Sequence, residues 1–163
     1  MKTNYNDVEK IIAKLTEQNQ TISFAESCTG GRLAAAFTSV GGVSSVFYGS
    51  VVSYSNEIKE AWLGVKTETL EQHGAVSSEC VVEMLRGITT MTPTIKSDYA
   101  IAISGIAGPT GGTEEKPVGT VYIGVQTLHT QEVFKCFFEG DRESVQEQST
   151  TFAIHKLKEY LKI

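Results

Sequence analysis

The sequence predicts an α/β protein: a three-layer α/β/α sandwich built on a mixed, mostly parallel sheet of about five strands. Strand-type apolar runs alternate with segments of helical periodicity along most of the chain. Two further strand-type runs follow each other directly near its end, which adds antiparallel pairing to a parallel sheet. The 163 residues fit one domain, residues 1–163, which needs no disulfide or metal to build a core.

The first half of the chain predicts two pairs of a helix and a strand. Apolar residues recur at helical spacing from Val8 to Leu15, and the apolar segment TISFAES after them has the length of a short strand. The next segment, GGRLAAAFTS, is rich in helix formers, and Thr29 is its candidate N-cap. Residues 46–54, VFYGSVVSY, are β-branched and aromatic, which favours a strand.

The second half predicts three short helices, three strands and a last helix. Ser55 and Gly64 are the cap and the stop of the first of these helices, and Gly74 ends the second. The run DYAIAIS is almost continuously apolar, as in a buried parallel strand, and the two strands after it are close enough for a hairpin. The helices are SNEIKEAWLG, TETLEQHG and SSECVVEMLRGI, the later strands are VGTVYIGVQT and EVFKCFFEG, and the last helix begins near Asp141.

The composition narrows the class of function. A formal net charge of −5 argues against a nucleic-acid-binding protein, which would need a basic face. The three cysteines are far apart and form no CxxC motif, so we expect reduced thiols, a cytoplasmic location and no metal site. The polar start MKTNYNDVEK lacks the apolar core of a signal peptide, and no apolar run approaches the roughly 20 residues of a membrane span.

Two of the predicted strands are followed by side chains that can react. Ligands of open α/β sheets bind beyond the carboxyl ends of the strands, so these positions are candidates for a site. The first strand runs into residues 27–31, SCTGG, with three possible nucleophiles and glycines whose amides can hold an anion. Tyr54 and Lys59 follow the second strand. Taken singly, a helix cap and a solvated lysine explain these features as well.

The longest predicted loop, residues 105–117, has the composition of a functional loop. Four of its 13 residues are glycine and two are proline, and closely spaced glycine amides can cradle a phosphate. Arg142 lies in the first turn of the last predicted helix, where a positive charge is unfavourable to the helix dipole. Either a ligand phosphate or solvation of the guanidinium offsets that cost. No histidine falls at the end of a predicted strand, which argues against a Ser-His-Asp triad.

Five segments, AESCTGG, YSNEIK, GAVS, SGIAGPTGGTEEKPVGTVY and GDRE, closely resemble the CinA C-terminal domain family, the nicotinamide-nucleotide amidases. The resemblance implies hydrolysis of nicotinamide mononucleotide to nicotinate mononucleotide and ammonia, a step of pyridine nucleotide salvage. It implies no cofactor and no metal, no nucleic-acid or membrane partner, and a homo-oligomer, a dimer or larger. Relatives fuse the domain to a molybdopterin-binding-like domain, and the chain resembles the stand-alone form.

The resemblance also assigns residues to the site. It implies Ser27 as the nucleophile, Lys59 as its base and Tyr54 as a third catalytic residue. Relatives often carry a second arginine where this chain has Gln146, and many carry threonine where it has Ser104. The implied substrate-binding residues are Thr29, Gly30, Gly31, Ser45, Ser104, Gly105, Ile106, Ala107, Gly108 and Arg142.

The resulting hypothesis is that Ser27 attacks the carboxamide carbon while a neutral Lys59 takes the hydroxyl proton and the following amides form an oxyanion hole. At its ordinary pKa only about one Lys59 in 2500 is neutral at pH 7, so burial or a nearby positive charge must lower that pKa. On chemistry alone Cys28 is an equal rival, and the resemblance favours Ser27. Glu26 is expected to be structural, with water activation as its alternative role.

Two other functions stay open from the sequence. One is a non-catalytic nucleotide-binding or interaction module linked to competence or DNA-damage responses, which would bind a ligand without turnover. The other is a general small-amide hydrolase, which would turn over free nicotinamide and leave the phosphate-cradling features unused.

Overall fold

The computed structural model describes residues 4–163, which form one five-stranded sheet and six α-helices. The strands are β1 (Ile22–Glu26), β2 (Phe47–Val52), β3 (Tyr99–Gly105), β4 (Thr120–Gln126) and β5 (Gln131–Phe137). The helices are α1 (Tyr5–Gln18), α2 (Arg32–Thr38), α3 (Asn56–Leu63), α4 (Thr67–His73), α5 (Ser78–Thr89) and α6 (Arg142–Leu161). A short 3₁₀ turn, Val43–Ser45, precedes β2.

The strand order is β2-β1-β3-β4-β5. Strand β1 pairs in parallel with both β2 and β3, whereas β4 is antiparallel to β3 and β5 is antiparallel to β4. Four of the five strands therefore run in one direction, and β4 is the exception. This confirms the predicted mixed sheet and the hairpin, whose turn closes where the Thr127 N–H donates to the Thr130 carbonyl at 2.8 Å.

The helices cover both faces of the sheet, which confirms the three-layer sandwich. Helices α1, α2 and α6 pack on one face against the larger aliphatic and aromatic side chains, including Phe24, Ile101 and Ile103. Helices α3, α4 and α5 pack on the other face, where β3 presents Ala100 and Ala102. The alternation of large and small side chains along β3 follows from the two-residue period of a strand.

Small residues on the second face let α5 lie close to the sheet. A Cβ atom added at Gly124 of β4 would come within 2.7 Å of Val81 and 2.8 Å of Leu85, both on α5. At Gly87 of α5 an added Cβ would lie 2.0 Å from the carbonyl oxygen of Leu63, at the end of α3. Close packing at Gly124 therefore holds α5 against the sheet, and close packing at Gly87 holds α5 against the end of α3.

The predicted helix boundaries are confirmed except at α2. Ser55 caps α3 by accepting from the Ile58 N–H, and the positive-φ Gly64 ends that helix. The prediction that Thr29 caps the second helix is wrong. Helix α2 begins at Arg32, and its first free amides are taken by a carboxylate rather than by a hydroxyl.

Candidate active site

A cleft of about 240 Å³ opens at the carboxyl ends of the parallel strands. The β1–α2 turn, the start of α3, the β3–β4 loop and the first turn of α6 meet there. Its lining includes most of the residues that the sequence singled out, which are Ser27, Cys28, Tyr54, Lys59, Ser104, Gly105, Ile106, Ala107, Gly108 and Arg142. It also includes Thr110 and Gly111 of the predicted functional loop, and three residues that had no predicted role, Asn56, Ala75 and Val76.

The centre of the cleft is a pair formed by Ser27 and Lys59. The Nζ atom of Lys59 lies 3.0 Å from the Oγ atom of Ser27. It also donates to the backbone carbonyls of Ser53, at 2.9 Å, and Tyr54, at 3.2 Å. The two strands β1 and β2 are parallel neighbours, so the turn after β1 and the helix after β2 reach the same edge. This topology brings together two residues that are far apart in the sequence.

Lys59 is a buried lysine without an acidic partner. It is 1% exposed, and no aspartate or glutamate among residues 4–163 forms an ion pair with it. Burial lowers the pKa of Lys59, because the ammonium form loses more hydration than the neutral amine. The neighbouring Cys28 and Cys80 act in the opposite direction on this pKa and are smaller influences.

The three contacts of Lys59 accommodate both protonation states of the amine. The Nζ atom donates to the carbonyls of Ser53 and Tyr54 and to the Ser27 oxygen, which is one acceptor for each of the three N–H groups of the ammonium. In the neutral amine the two carbonyls keep the two remaining donors, and the lone pair faces the Ser27 hydroxyl. A general base requires this arrangement of nucleophile and lone pair.

Cys28 does not share the properties of Ser27. Its side chain is 4% exposed and belongs to the apolar core under α2. Burial raises the pKa of the Cys28 thiol to about 12, so the nucleophilic thiolate is disfavoured at neutral pH. Cys28 lies before the first turn of α2, which starts only at Arg32, so the amino end of that helix does not activate this thiol.

Arg142 and Tyr54 meet across the mouth of the cleft. The guanidinium of Arg142 donates to the carbonyl of Gly108 at 2.6 Å and to the hydroxyl of Tyr54. The hydroxyl of Tyr54 is therefore directed to Arg142, while its backbone carbonyl contacts Lys59. Asp141 caps α6 by accepting from the Ser144 N–H at 2.9 Å, which offsets the unfavourable position of the arginine in the first turn.

The β3–β4 loop is fixed at its base and leaves amides free above it. The Ile106 N–H donates to Thr120, and the Gly119 N–H donates to Ile106. Within residues 4–163, the N–H groups of Ala107 and Gly108 donate to no protein acceptor. Gly108 has a φ of +85°, and an added Cβ there would lie 2.5 Å from Val118, so this turn requires glycine.

Ser104 and Gln146 hold the backbone of the site. The hydroxyl of Ser104 donates to the carbonyl of Ala75 at 2.8 Å, which ties the α4–α5 connection to the end of β3. The amide of Gln146 is buried and donates to the carbonyl of Cys28 at 2.8 Å. Both contacts position backbone segments that line the cleft.

Four residues of the expected substrate-binding set lie elsewhere. Thr29 is fully buried and its hydroxyl donates to Glu26, which leaves it no access to a ligand. Gly30 and Gly31 line a separate groove of about 590 Å³ between α2 and α6. Ser45 precedes the amino end of β2, at the opposite edge of the sheet, and bonds to the carbonyl of Gly42. The AESCTGG motif placed Thr29, Gly30 and Gly31 in the expected site, but the chain after Ser27 turns away from the cleft towards α2.

The sequence analysis missed the two backbone carbonyls that hold Lys59. It also gave no role to Ala75 and Val76, although the GAVS segment was among the motifs of the resemblance. Nothing in the side-chain pattern marks a carbonyl as a ligand of a lysine. The GAVS motif was a usable signal for the two apolar residues.

Two features are absent from residues 4–163. These residues contain no group of three or more histidine, cysteine, aspartate or glutamate side chains placed to hold a metal ion. In the same part of the chain, no helix is long and apolar enough to cross a membrane.

Fold and cleft together define the class: an α/β sandwich protein with a serine–lysine pair at the carboxyl ends of its parallel strands. Residues 5–161 match the model of the CinA C-terminal domain, and the chain belongs to that family. It is 47% identical over 156 residues to a CinA-like protein of Thermosipho melanesiensis, covering 94% of this chain and 38% of that protein. It is 44% identical to a putative competence-damage inducible protein of Thermoanaerobacter pseudethanolicus, covering 95% of this chain and 37% of that protein.

Solved structures of the family share the whole fold. A CinA superfamily protein of Klebsiella pneumoniae superposes with a TM-score of 0.91 at 38% identity, covering 98% of both chains. A competence/damage inducible protein of Agrobacterium tumefaciens superposes with a TM-score of 0.90 at 33% identity, covering 98% of this chain and 95% of the other. The chain spans between a third and two fifths of the length of the curated relatives it matches.

Proposed function

We propose that this protein is a nicotinamide-nucleotide amidase, which hydrolyses nicotinamide mononucleotide to nicotinate mononucleotide and ammonia. The observation that supports this most is the Nζ atom of Lys59 at 3.0 Å from the Oγ atom of Ser27, with the lysine buried and without an acidic partner. A purely structural lysine would more often extend to solvent or pair with a carboxylate, since an unpaired buried ammonium is unfavourable.

Acylation begins with the Ser27 oxygen. Lys59 takes the hydroxyl proton as the oxygen attacks the carboxamide carbon, and a tetrahedral intermediate forms. Lys59 then returns the proton to the carboxamide nitrogen, the C–N bond breaks, and ammonia leaves an ester on Ser27. The carbonyls of Ser53 and Tyr54 hold the amine in place through both transfers.

One backbone amide is placed to stabilise the oxyanion of that intermediate. Within the described residues the N–H group of Cys28, which follows the nucleophile and lines the cleft, donates to no backbone carbonyl. Donors already in place where negative charge develops lower the barrier by about 3–4 kcal/mol each in other hydrolases. The first amides of α2 do not serve here, because the carboxylate of Glu26 accepts from them.

The 5′-phosphate of the substrate is assigned to Arg142 and the β3–β4 loop. Arg142 donates one N–H group to the Gly108 carbonyl and one to the Tyr54 hydroxyl. A guanidinium has five N–H groups, so others remain for a phosphate. The free amides of Ala107 and Gly108 line the same cleft. Gln146 stands where relatives often carry a second arginine, and its amide donates to the Cys28 carbonyl. Arg142 is therefore the arginine to which we assign the phosphate.

Deacylation regenerates the serine. After ammonia has left, a water molecule occupies its place, and Lys59 takes a proton from that water as it attacks the ester carbonyl. The ester bond breaks, nicotinate mononucleotide leaves, and the proton returns to the Ser27 oxygen. The same lysine therefore serves both half-reactions without a second base.

The test is ammonia release from nicotinamide mononucleotide by the wild type, Ser27→Ala and Cys28→Ala. We expect the wild type and Cys28→Ala to turn over, and Ser27→Ala to lose roughly 10³-fold or more in kcat. Loss of activity in Cys28→Ala alone would make the thiol the nucleophile. Nucleotide binding without turnover by the wild type would favour the non-catalytic module, and turnover of free nicotinamide as fast as the nucleotide would favour a general amide hydrolase.

A further inference from the structure

Glu26 is the last residue of β1 and comes directly before Ser27. Successive side chains of a strand point to opposite faces of the sheet. Glu26 accordingly contacts α2, whereas Ser27 contacts Lys59 of α3 on the other face. The carboxylate is 0% exposed, and within residues 4–163 it forms no ion pair with a lysine, arginine or histidine.

Four neutral donors surround this carboxylate. Oε1 accepts from the Thr29 hydroxyl at 2.8 Å and from the Leu33 N–H at 3.0 Å. Oε2 accepts from the Ala34 N–H at 3.0 Å and from the Ser50 hydroxyl at 3.3 Å. A buried carboxylate is costly unless its oxygens are satisfied, and here amides at the positive end of α2 and two hydroxyls satisfy them.

These contacts close the turn that carries the nucleophile. Residues 27–31 connect the strand that bears the carboxylate to the helix that the carboxylate caps. The Ser27 N–H donates to the Ile103 carbonyl at 3.0 Å, and the Gly30 N–H donates back to the Ser27 carbonyl at 3.0 Å. The turn is thus held by β3 on one side, by its own hydrogen bond, and by Glu26 through Thr29 and α2.

We infer that Glu26 is a positioning residue for Ser27: its carboxylate fixes the turn that sets the distance from the Ser27 oxygen to Lys59. This inference rests on the proposed amidase activity. It also removes the alternative role considered from the sequence, water activation in deacylation. The carboxylate has no exposed surface, is bound by four donors and lies on the opposite face of the sheet from Lys59. It therefore cannot reach a water molecule that attacks the acyl-enzyme.

The test compares Glu26→Gln with a matched control, Glu83→Gln. Glu83 also accepts from a backbone amide at a helix start, that of Lys66, and from a threonine hydroxyl, that of Thr69. It does not line the cleft. The amide nitrogen of a glutamine cannot accept, so each variant loses acceptors on one side of the former carboxylate.

We expect Glu26→Gln to lower kcat for nicotinamide mononucleotide about 100-fold, because a small misplacement of the nucleophile has effects of that size. KM should stay within about threefold, because Arg142 and the β3–β4 loop are untouched. Glu83→Gln should stay within about threefold in both constants. Thr29→Val, which removes one donor and keeps the side-chain shape, should lower kcat about tenfold. This variant tests the inference if Glu26→Gln does not fold.

Intact-mass measurement after mixing with the nucleotide separates positioning from chemistry. We expect no accumulation of an acylated protein in Glu26→Gln, because acylation itself is slowed. An ammonia burst with an accumulated acyl-enzyme would overturn the inference and make Glu26 a deacylation base. Equal kcat in Glu26→Gln, Thr29→Val and wild type would overturn it as well. A wild type that releases no ammonia would instead refute the amidase proposal, and the positioning role with it.

Discussion

The pH dependence of stability tests whether Lys59 is neutral in the native protein near neutral pH. Burial lowers the pKa of Lys59 in the folded protein, whereas the unfolded chain keeps the ordinary value. Between those two pKa values the unfolded chain binds one more proton than the native state. The free energy of unfolding therefore rises with pH in that window, and this stability is lost as pH falls through the folded pKa.

The size of the change in the free energy of unfolding follows from the one extra proton that the unfolded chain binds. Each pH unit within the window changes the free energy of unfolding by about 1.4 kcal/mol. For a chain of this length that corresponds to roughly 3–6 °C in Tm per pH unit. Lys59→Met removes the titrating group, so the difference in stability between wild type and Lys59→Met should move in favour of the wild type as pH rises.

The assay is urea unfolding of wild type, Lys59→Met and the exposed control Lys10→Met at pH 6.5, 7.5 and 8.5. Taking the difference between variants cancels the titration of other groups, including the free thiols, whose ordinary pKa of about 8.5 lies at the top of the range. We expect a slope for Lys59→Met and none for Lys10→Met. A flat difference across the range would show that Lys59 stays protonated in the native protein, and the proposed role of Lys59 as a general base would then fail.

Four further predictions concern single side chains. Cys28 should resist a thiol reagent at pH 8 in the native protein and react after unfolding, because burial raises the pKa of its thiol to about 12; fast native labelling of that residue by mass spectrometry would contradict this. Arg142→Gln should raise KM for nicotinamide mononucleotide about tenfold and leave nicotinamide riboside turnover nearly unchanged, and an equal effect on both substrates would argue against phosphate binding. Tyr54→Phe should change kcat less than about fivefold, because the Tyr54 hydroxyl contacts Arg142 rather than Lys59. A loss as large as that of Ser27→Ala would support the catalytic role that the resemblance implies for Tyr54. Gly124→Ala should lower the free energy of unfolding by about 1–3 kcal/mol in urea, since its Cβ would press on α5, and unchanged stability would show that α5 moves freely.

Much of the fold was predictable because its signals are local. Apolar spacing from Val8 to Leu15 predicts α1, and the run DYAIAIS predicts a strand buried on both faces. Glycine after a helix and serine before one mark boundaries through backbone geometry, which is why Ser55 and Gly64 are where they were expected.

The candidate site was predictable only in part. The rule that ligands bind beyond strand carboxyl ends places Ser27 and Lys59 at one edge, and the parallel pairing of β1 and β2 brings them within hydrogen-bond distance. The same rule says nothing about which face of the sheet a side chain takes. Thr29 and Ser45 carry hydroxyls just as Ser27 does, but one is directed to Glu26 and the other lies at the opposite edge.

The sequence by itself determined the order of helices and strands, the family and the chemical types available at the strand ends, because periodicity and motif are properties of neighbouring residues. Only the tertiary structure decided which of those groups can react. Burial without an acidic partner lowers the pKa of Lys59, burial in the core raises that of Cys28, and a carboxylate fills the start of α2. Each of these depends on segments far apart in the chain, and their packing sets hydration and hydrogen-bond partners.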